Sequence, residues 1–226
     1  MSTHTTSVRV WDLPTRLFHS ALALLVLAMF VTAELFDSAM DIHFYCGYAI
    51  LALLFFRLIW GIVGGYWSRF VNFVPNVASL RAYVTAMRHG QSMHAVGHNP
   101  LGALSVLALL LVLFLQVFSG FLSDDEASNA GPWVDLVSSH WVELATNYHA
   151  EIGKVILIAL IALHLASIAY YLRIKKENLV QPMIDGDKNL PSTTQSSHDS
   201  LFSRLFALAI LVACAFGVYQ LVQLGQ

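Results

Sequence analysis

The sequence predicts an all-α membrane protein, a four-helix transmembrane bundle followed by a fifth, C-terminal transmembrane helix. Hydrophobic residues make up 57% of its 226 residues and charged residues only 12%, about half the share in a soluble domain. Five segments are apolar over the roughly 20 residues that a helix needs to cross a bilayer. None alternates every second residue as a barrel strand does, so each segment is expected to be helical.

The predicted spans and connections divide the chain into three parts. They are a four-helix core at 8–175, a flexible polar linker at 176–200 and an additional span at 201–226. Within the core, the 65–100 connection carries apolar residues at helical spacing, which predicts a surface helix, and 124–148 reads as an acidic loop. The five spans are expected at about 17–36, 42–63, 101–123, 152–172 and 205–224.

The distribution of Lys and Arg predicts the orientation. Basic residues concentrate at the N-terminus, in the 65–100 connection and after the fourth span, whereas the opposite side carries only Lys154. Cytoplasmic loops are the ones enriched in Lys and Arg, so we expect a cytoplasmic N-terminus and a C-terminus on the opposite, outer side. The net charge of −2 argues against nucleic acid as a partner and leaves membrane lipid.

Four of the ten histidines lie in or at the ends of the spans. Following each span across the membrane sorts them into two levels. His43 and His149, the outer pair, are expected near the periplasmic face, and His19 and His164, the inner pair, nearer the cytoplasm. The 15 residues from His149 to His164 correspond to a helical rise of about 22 Å.

Two imidazoles from different helices at one level of the hydrocarbon suit the two axial positions of a haem b. A single histidine in a membrane helix is more often a hydrogen-bonded core residue, but four histidines in two matched levels favour ligation. Zinc needs three or four ligands around one point, which neither level offers. The chain has no Cys-x-x-Cys-His motif for covalent haem attachment. The pattern therefore predicts two haems b.

Four blocks of the sequence resemble the bacterial cytochrome b561 / nickel–iron hydrogenase cytochrome b subunit family. The resemblance covers about residues 8–175 in the expected order. The blocks are the two histidines of the fourth span together with VWDLPTRLFHSALALL (10–25), DIHFYCGYAILALLFFRLIWGIVG (41–64) and GHNPLGALSVLALLLVLFLQVFSGF (97–121).

The resemblance implies a di-haem core whose ligands fall on the same four histidines, His19, His43, His149 and His164. It also implies electron transfer between the quinone pool and a periplasmic or membrane redox partner. Ubiquinone or menaquinone would be the substrate, and a periplasmic c-type cytochrome or an oxidoreductase subunit the partner. The alternatives are a haem-bearing anchor subunit of a hydrogenase-like or other oxidoreductase complex and a haem-free scaffold or transporter. The resemblance thus implies an electron-transfer protein or a quinone-linked oxidoreductase.

Two features depart from the family pattern. Its fourth-span histidines are usually 14 residues apart, with Glu directly after the first. Here they are 15 apart, and Ala150 separates His149 from Glu151, so we expect a local adjustment of the helix. The second departure is the fifth span, which lies outside the resemblance and either docks a partner or anchors the C-terminus.

Several further residues are expected near the haems. Arg57 and Arg16 would pair with propionates of the inner haem; for Arg57 the alternative is extension of its guanidinium to the cytoplasm. His98 either belongs to the helix start at Asn99-Pro100 or contacts a haem edge or a quinone. Three glycines would leave room for a porphyrin or serve ordinary helix packing, namely Gly47, Gly102 and Gly120.

Overall fold

Helices dominate the fold of this computed structural model, which describes residues 5–35, 40–91, 95–126 and 128–225. Five helical segments in the described part are long and apolar enough to cross a membrane, which confirms the predicted fold class. The α-helices are α1 (Leu13–Leu35), α2 (Met40–Val63), α3 (Phe70–Phe73), α4 (Val77–Arg88), α5 (Pro100–Phe121), α6 (Ser139–Asn147), α7 (Lys154–Tyr170), α8 (Val180–Asp185) and α9 (Leu201–Gln223). Short 3-10 turns lie at Tyr66–Ser68 and Val134–Leu136.

The fourth spanning segment is longer than the sequence suggests. It runs over Ser139–Lys175, because α6 continues through a π-helical turn at Tyr148–Gly153 into α7, and a second π-helical turn follows at Tyr171–Lys175. The acidic loop predicted at 124–148 was therefore too long, since amphipathic α6 is too polar for hydropathy to mark it. The first span begins earlier than predicted, and its predicted last residue, Phe36, lies outside the described residues.

Asparagine side chains cap two helices that begin within the 65–100 connection. Asn76 accepts a hydrogen bond from the Ser79 N–H at 2.8 Å and starts α4, so the surface helix predicted within 65–100 is present. Asn99 accepts from the Gly102 N–H at 2.8 Å and starts α5, whose first residue is Pro100. Gly102 is therefore part of the N-terminal cap of α5, and the Asn99-Pro100 turn starts this helix.

Close contacts divide the chain into two compact units that interleave along the sequence. The predicted division at 175 and 200 follows the order of the chain, whereas each unit combines early and late segments. The first unit comprises Met1–Leu17, Leu58–Ala108 and Leu163–Ala207. The second unit comprises Phe18–Arg57, Leu109–Ala162 and Leu208–Gln226.

A two-stranded antiparallel sheet organises part of the first unit. Strand β1 (Thr5–Arg9) pairs with β2 (Asp187–Pro191), with Arg9 opposite Asp187. Between α8 and β2 the chain turns at Gly186, whose φ of +93° suits glycine. The prediction of a flexible linker at 176–200 was wrong, because this segment supplies a helix and a strand to the unit. Its polar composition reflects partners on the N-terminal strand, about 180 residues away in sequence.

An ion cluster joins the end of β1 to the segment before α9. Arg9 donates to the carboxylates of Asp187 and Asp199, and Arg204 Nε donates to Asp199 Oδ1 at 2.9 Å. Burial opposes ionisation of Asp199, but the hydrogen bonds from the two arginines and the Leu13 backbone outweigh it. The pKa of Asp199 is therefore lowered from its ordinary value.

A buried carboxylate explains the VWD block of the first unit. Asp12 is fully buried and accepts four hydrogen bonds, which satisfy its carboxylate oxygens. The donors are the Thr15 and Gly65 N–H groups at 2.8 and 3.0 Å, Trp60 Nε1 at 3.1 Å and Ser68 Oγ at 2.7 Å. Asp12 thus fixes the start of α1 to the end of α2 by purely structural contacts.

All five spanning segments contribute side chains to the apolar core of the second unit. The C-terminal helix α9 supplies two of its buried residues, Val218 and Val222, and Trp133 Nε1 donates to the Leu221 carbonyl at 2.8 Å. The fifth span is therefore an integral part of this core. The other buried members are Ile50, Leu51, Ala52, Leu54, Leu113, Val117, Phe121 and Leu157.

Candidate functional site

His43 lies in the first turn of α2, where a threonine of α1 orients its ring. Thr32 Oγ1 is 3.2 Å from His43 Nδ1 and 2.8 Å from the Ala28 carbonyl oxygen. The threonine hydroxyl has one proton, which it donates to the carbonyl, so it accepts from His43 Nδ1–H. His43 Nε2 then carries the lone pair that a metal ligand needs.

His149 lies in the π-helical turn at Tyr148–Gly153, and α5 orients its ring. Its Nδ1 is 2.8 Å from the backbone carbonyl of Gln116, which can only accept, so Nδ1 carries the proton. His149 Nε2 is left with the lone pair. The ring packs against Gly120, where an added Cβ would come within 2.8 Å of His149 Cε1. Gly120 therefore makes room for the imidazole itself.

The π-helical turn is the local adjustment that the 15-residue spacing led us to expect. A π turn accommodates one residue more than an α turn, and such turns concentrate at functional sites. Its position at His149 accommodates the extra residue between His149 and His164.

The two histidines of the outer pair face each other within the second unit. Their ring centroids are 6.2 Å apart and their planes are nearly perpendicular, at 84°. Two iron–nitrogen bonds of roughly 2 Å, with about 1.1 Å from each nitrogen to its ring centroid, would give about 6.2 Å for a bis-imidazole centre. The separation therefore fits two axial ligands of one iron.

The same pair does not suit a bare metal ion. Across the described residues, no group of three or more His, Cys, Asp or Glu side chains comes close enough to hold one. Haem supplies the four equatorial nitrogens itself and asks the protein for two axial ligands only. The donor set of His43 and His149 therefore matches haem better than zinc.

A cavity of about 340 Å³ surrounds the outer pair, a size typical of cofactor sites. Apolar and aromatic side chains form most of its wall, as a porphyrin requires. Gly47 and Gly120 both line it, so these two glycines of the predicted set do adjoin the site, and Gly102 does not. Its aliphatic and aromatic lining includes Val26, Met29, Phe30, Phe44, Tyr48, Ile50, Leu113, Val117, Phe121 and Leu157.

The lining of this cavity also includes ionisable side chains. Asp124, Asp125 and Glu151 line it together with Lys154, the one Lys or Arg among the described lining residues. The propionates of a haem are anions, so Lys154 is the lining residue whose charge suits them.

The remaining predicted site residues lie elsewhere. His19 is an exposed residue of α1 in the second unit, and His164 is a half-buried residue of α7 in the first. Arg57 of α2 is only 4% exposed, which disfavours extension of its guanidinium to the aqueous phase. Arg16 donates to the backbone carbonyl of Ile184 in the first unit. The pairing of His19 with His164 and the propionate roles of both arginines stay predictions.

Sequence reasoning left two alternatives for His98 and missed two residues that contact the outer pair. In the first unit the His98 ring contacts those of Trp11 and Phe73, with centroids at 4.8 and 4.9 Å.

Thr32 and Gln116 hold the outer-pair rings, and sequence reasoning missed both. Gln116 could have been found from the sequence, because it is the one amide side chain in the largely apolar α5. Thr32 had none, because threonine is common in membrane helices.

Fold and site together define the class of protein, a multi-pass membrane protein whose paired imidazoles face an apolar cavity suited to haem. The family model described as "Prokaryotic cytochrome b561" matches residues 10–186, and the chain belongs to this family. It is therefore a haem-bearing membrane protein of electron transport, and the haem is of b type.

Two curated relatives carry the same description, "Probable Ni/Fe-hydrogenase B-type cytochrome subunit". One is from Azotobacter chroococcum mcd 1 and the other from Azotobacter vinelandii. Each is 24% identical to this chain over 217 residues, an alignment that covers 80% of this chain and 88% of the relative. The match to the family model ends within the segment that holds α8, beyond the core boundary predicted at 175.

Proposed function

We propose that this protein transfers electrons across the membrane through two haems b, between the quinone pool and a periplasmic or membrane redox partner. The observation that carries the proposal is the outer pair, His43 and His149, with both Nδ1 protons engaged and ring centroids 6.2 Å apart in an apolar cavity. When bound by two imidazoles, haem iron supplies reversible one-electron chemistry.

The protein's own residues set the electronic character of that site. The Gln116 carbonyl and the Thr32 hydroxyl accept the Nδ1 protons, which fixes the tautomer of each ring and makes Nε2 a stronger donor. The apolar wall excludes water and so keeps both imidazoles neutral, the form that binds iron. Lys154 of the cavity lining would offset charge on the haem propionates.

The second haem would be held by the inner pair, His19 and His164. The helical rise between His149 and His164 is about 22 Å, so the two haem levels together span most of the hydrocarbon thickness. Arg57 is buried in α2, and a buried guanidinium requires an anion, for which an inner-haem propionate is suited. Arg16 would contribute in the same way from the start of α1.

The proposed orientation places the N-terminus in the cytoplasm and the C-terminus in the periplasm of the bacterial inner membrane. The pairing of β1 with β2 supports one part of this arrangement. It requires the N-terminus and the segment after the fourth span to lie on the same side, as the Lys and Arg distribution predicts.

A second candidate function is that of a haem-bearing anchor subunit in a hydrogenase-like oxidoreductase complex. The names of the two Azotobacter relatives favour it, since both are described as hydrogenase cytochrome subunits. In both candidates the substrate would be ubiquinone or menaquinone. The redox partner would be a c-type cytochrome in the first and an oxidoreductase subunit in the second.

Quinol reduction of the purified chain distinguishes these candidates. Anaerobic addition of a ubiquinol or menaquinol analogue should reduce the haems within seconds if the chain alone connects quinol to the haems. Reduction only in the presence of an oxidoreductase partner would favour the anchor role. Purified protein without haem would instead favour a scaffold or transporter and overturn the proposal.

A further inference from the structure

Gln116 of α5 makes two hydrogen bonds to His149 in opposite directions. Its backbone carbonyl accepts from His149 Nδ1 at 2.8 Å, and its side-chain Nε2 donates to the His149 backbone carbonyl at 2.7 Å. One bond sets the rotation of the imidazole ring, and the other sets the position of the backbone that carries it. Both bonds lie within the second unit.

The hydrogen bond from the Gln116 side chain reaches the π-helical turn that carries His149. A π-helical turn is rare, appears mostly as a single turn inside an α-helix, and locally interrupts the regular α-helical hydrogen bonding. The amide of Gln116 reaches into the turn beside Gly153, where an added Cβ would come within 2.1 Å of Gln116 Oε1. The glycine therefore leaves the space in which the glutamine side chain lies.

We propose that Gln116 is a positioning residue that holds the π-helical turn at Tyr148–Gly153 and thereby aims His149 at the iron. The inference rests on the proposed function, because it takes His149 as an axial ligand. It assigns Gln116 no contact with the haem iron. Its effect passes through the backbone and ring of His149.

This role predicts a specific defect in Gln116→Leu. Leucine is similar in size but cannot donate to the His149 carbonyl, whereas the backbone carbonyl at residue 116 still accepts from Nδ1. The π turn loosens while the ligand stays present. Groups one step removed from a metal ligand typically change its affinity by about tenfold to a hundredfold. We expect one haem of the two to dissociate about ten times faster, with weakened low-spin absorption bands.

Deletion of Ala150 provides the second half of the test. It removes the extra residue, so the turn can become an ordinary α turn whose carbonyls are bonded within the helix. The deletion alone should keep both haems. Adding Gln116→Leu to the deletion should cause no further loss, because the carbonyl that Gln116 bonds is then satisfied inside the helix.

The measurements are haem content, low-spin absorption bands and hydrogen exchange of the amides of 148–153 in haem-free protein. Gln220→Leu, at an exposed glutamine of α9, is the matched control. We expect faster exchange and haem loss in Gln116→Leu only.

Three results would overturn the role of Gln116. The first is that Gln116→Leu loses haem and exchanges amides no faster than the Gln220→Leu control. The second is that Gln116→Leu has the same effect with and without Ala150, and the third is that deletion of Ala150 alone removes the outer haem. Wild-type protein that binds no haem would refute the proposed function instead, and exchange in 148–153 would still report whether Gln116 holds the turn.

Discussion

Replacing Gly120 by alanine should displace the His149 ring. The new Cβ would lie 2.8 Å from His149 Cε1 and 3.2 Å from its Nδ1. Carbon atoms in proteins do not approach so closely, so the ring or the backbone of α5 has to move. The ring is fixed by its bond to the Gln116 carbonyl and cannot turn away without losing that bond.

The expected cost follows from this overlap. An extra methyl group in a well-packed site costs about 1–3 kcal/mol. At 1.36 kcal/mol per factor of ten, this corresponds to about five- to 150-fold weaker haem binding at the outer pair. The other haem should be unaffected if the inner pair holds it.

Haem transfer to an excess of a haem-scavenging protein measures the loss. One of two haems should leave Gly120→Ala faster than it leaves wild type. Gly217→Ala is the matched control. Gly217 also lies on a spanning helix, and a Cβ added there meets no described atom within 4 Å. Equal rates for Gly120→Ala and Gly217→Ala would refute the packing of His149 on Gly120.

Three further substitutions test other parts of the structure. Thr32→Val removes the hydroxyl that accepts from His43 Nδ1 and should weaken the outer haem about tenfold in the same transfer assay; unchanged retention would contradict that contact. Trp133→Phe removes the bond to the Leu221 carbonyl and should lower the free energy of unfolding by about 1 kcal/mol in detergent, provided that α9 is part of the core. Because the folded pKa of Asp199 is lowered, its carboxylate stabilises the β1–β2 sheet at neutral pH, and this stabilisation is lost as the pH falls below about 4 and through the folded pKa. Asp199→Asn should therefore speed hydrogen exchange in 187–191 at pH 7 and abolish its acid dependence, and a variant that keeps this dependence would contradict the assignment.

Much of the fold was predictable, because a bilayer imposes simple constraints on length and polarity. Five apolar segments gave the spans, and their alternating direction sorted His43 and His149 to one level before any contact was known. The structure places the centroids of those two rings 6.2 Å apart, while their role as iron ligands remains a prediction. The same depth argument sorted His19 with His164, which stays untested.

Other features depend on contacts that no local pattern encodes. The pairing of β1 with β2 joins residues about 180 positions apart, so 176–200 looked like a polar linker. The hydrogen bond from Gln116 of α5 to the π-helical turn joins two different helices. Helix α6 escaped notice because its amphipathic sequence resembles a loop by hydropathy alone.

The most direct test of a haem held between His43 and His149 is the haem content of purified variants by the pyridine haemochrome method. We predict about two haems b per chain in wild type and about one in His43→Ala, in His149→Ala and in the double variant, with identical remaining spectra. His19→Ala and His164→Ala should each remove the other haem. Two intact low-spin haems in His149→Ala would contradict the account.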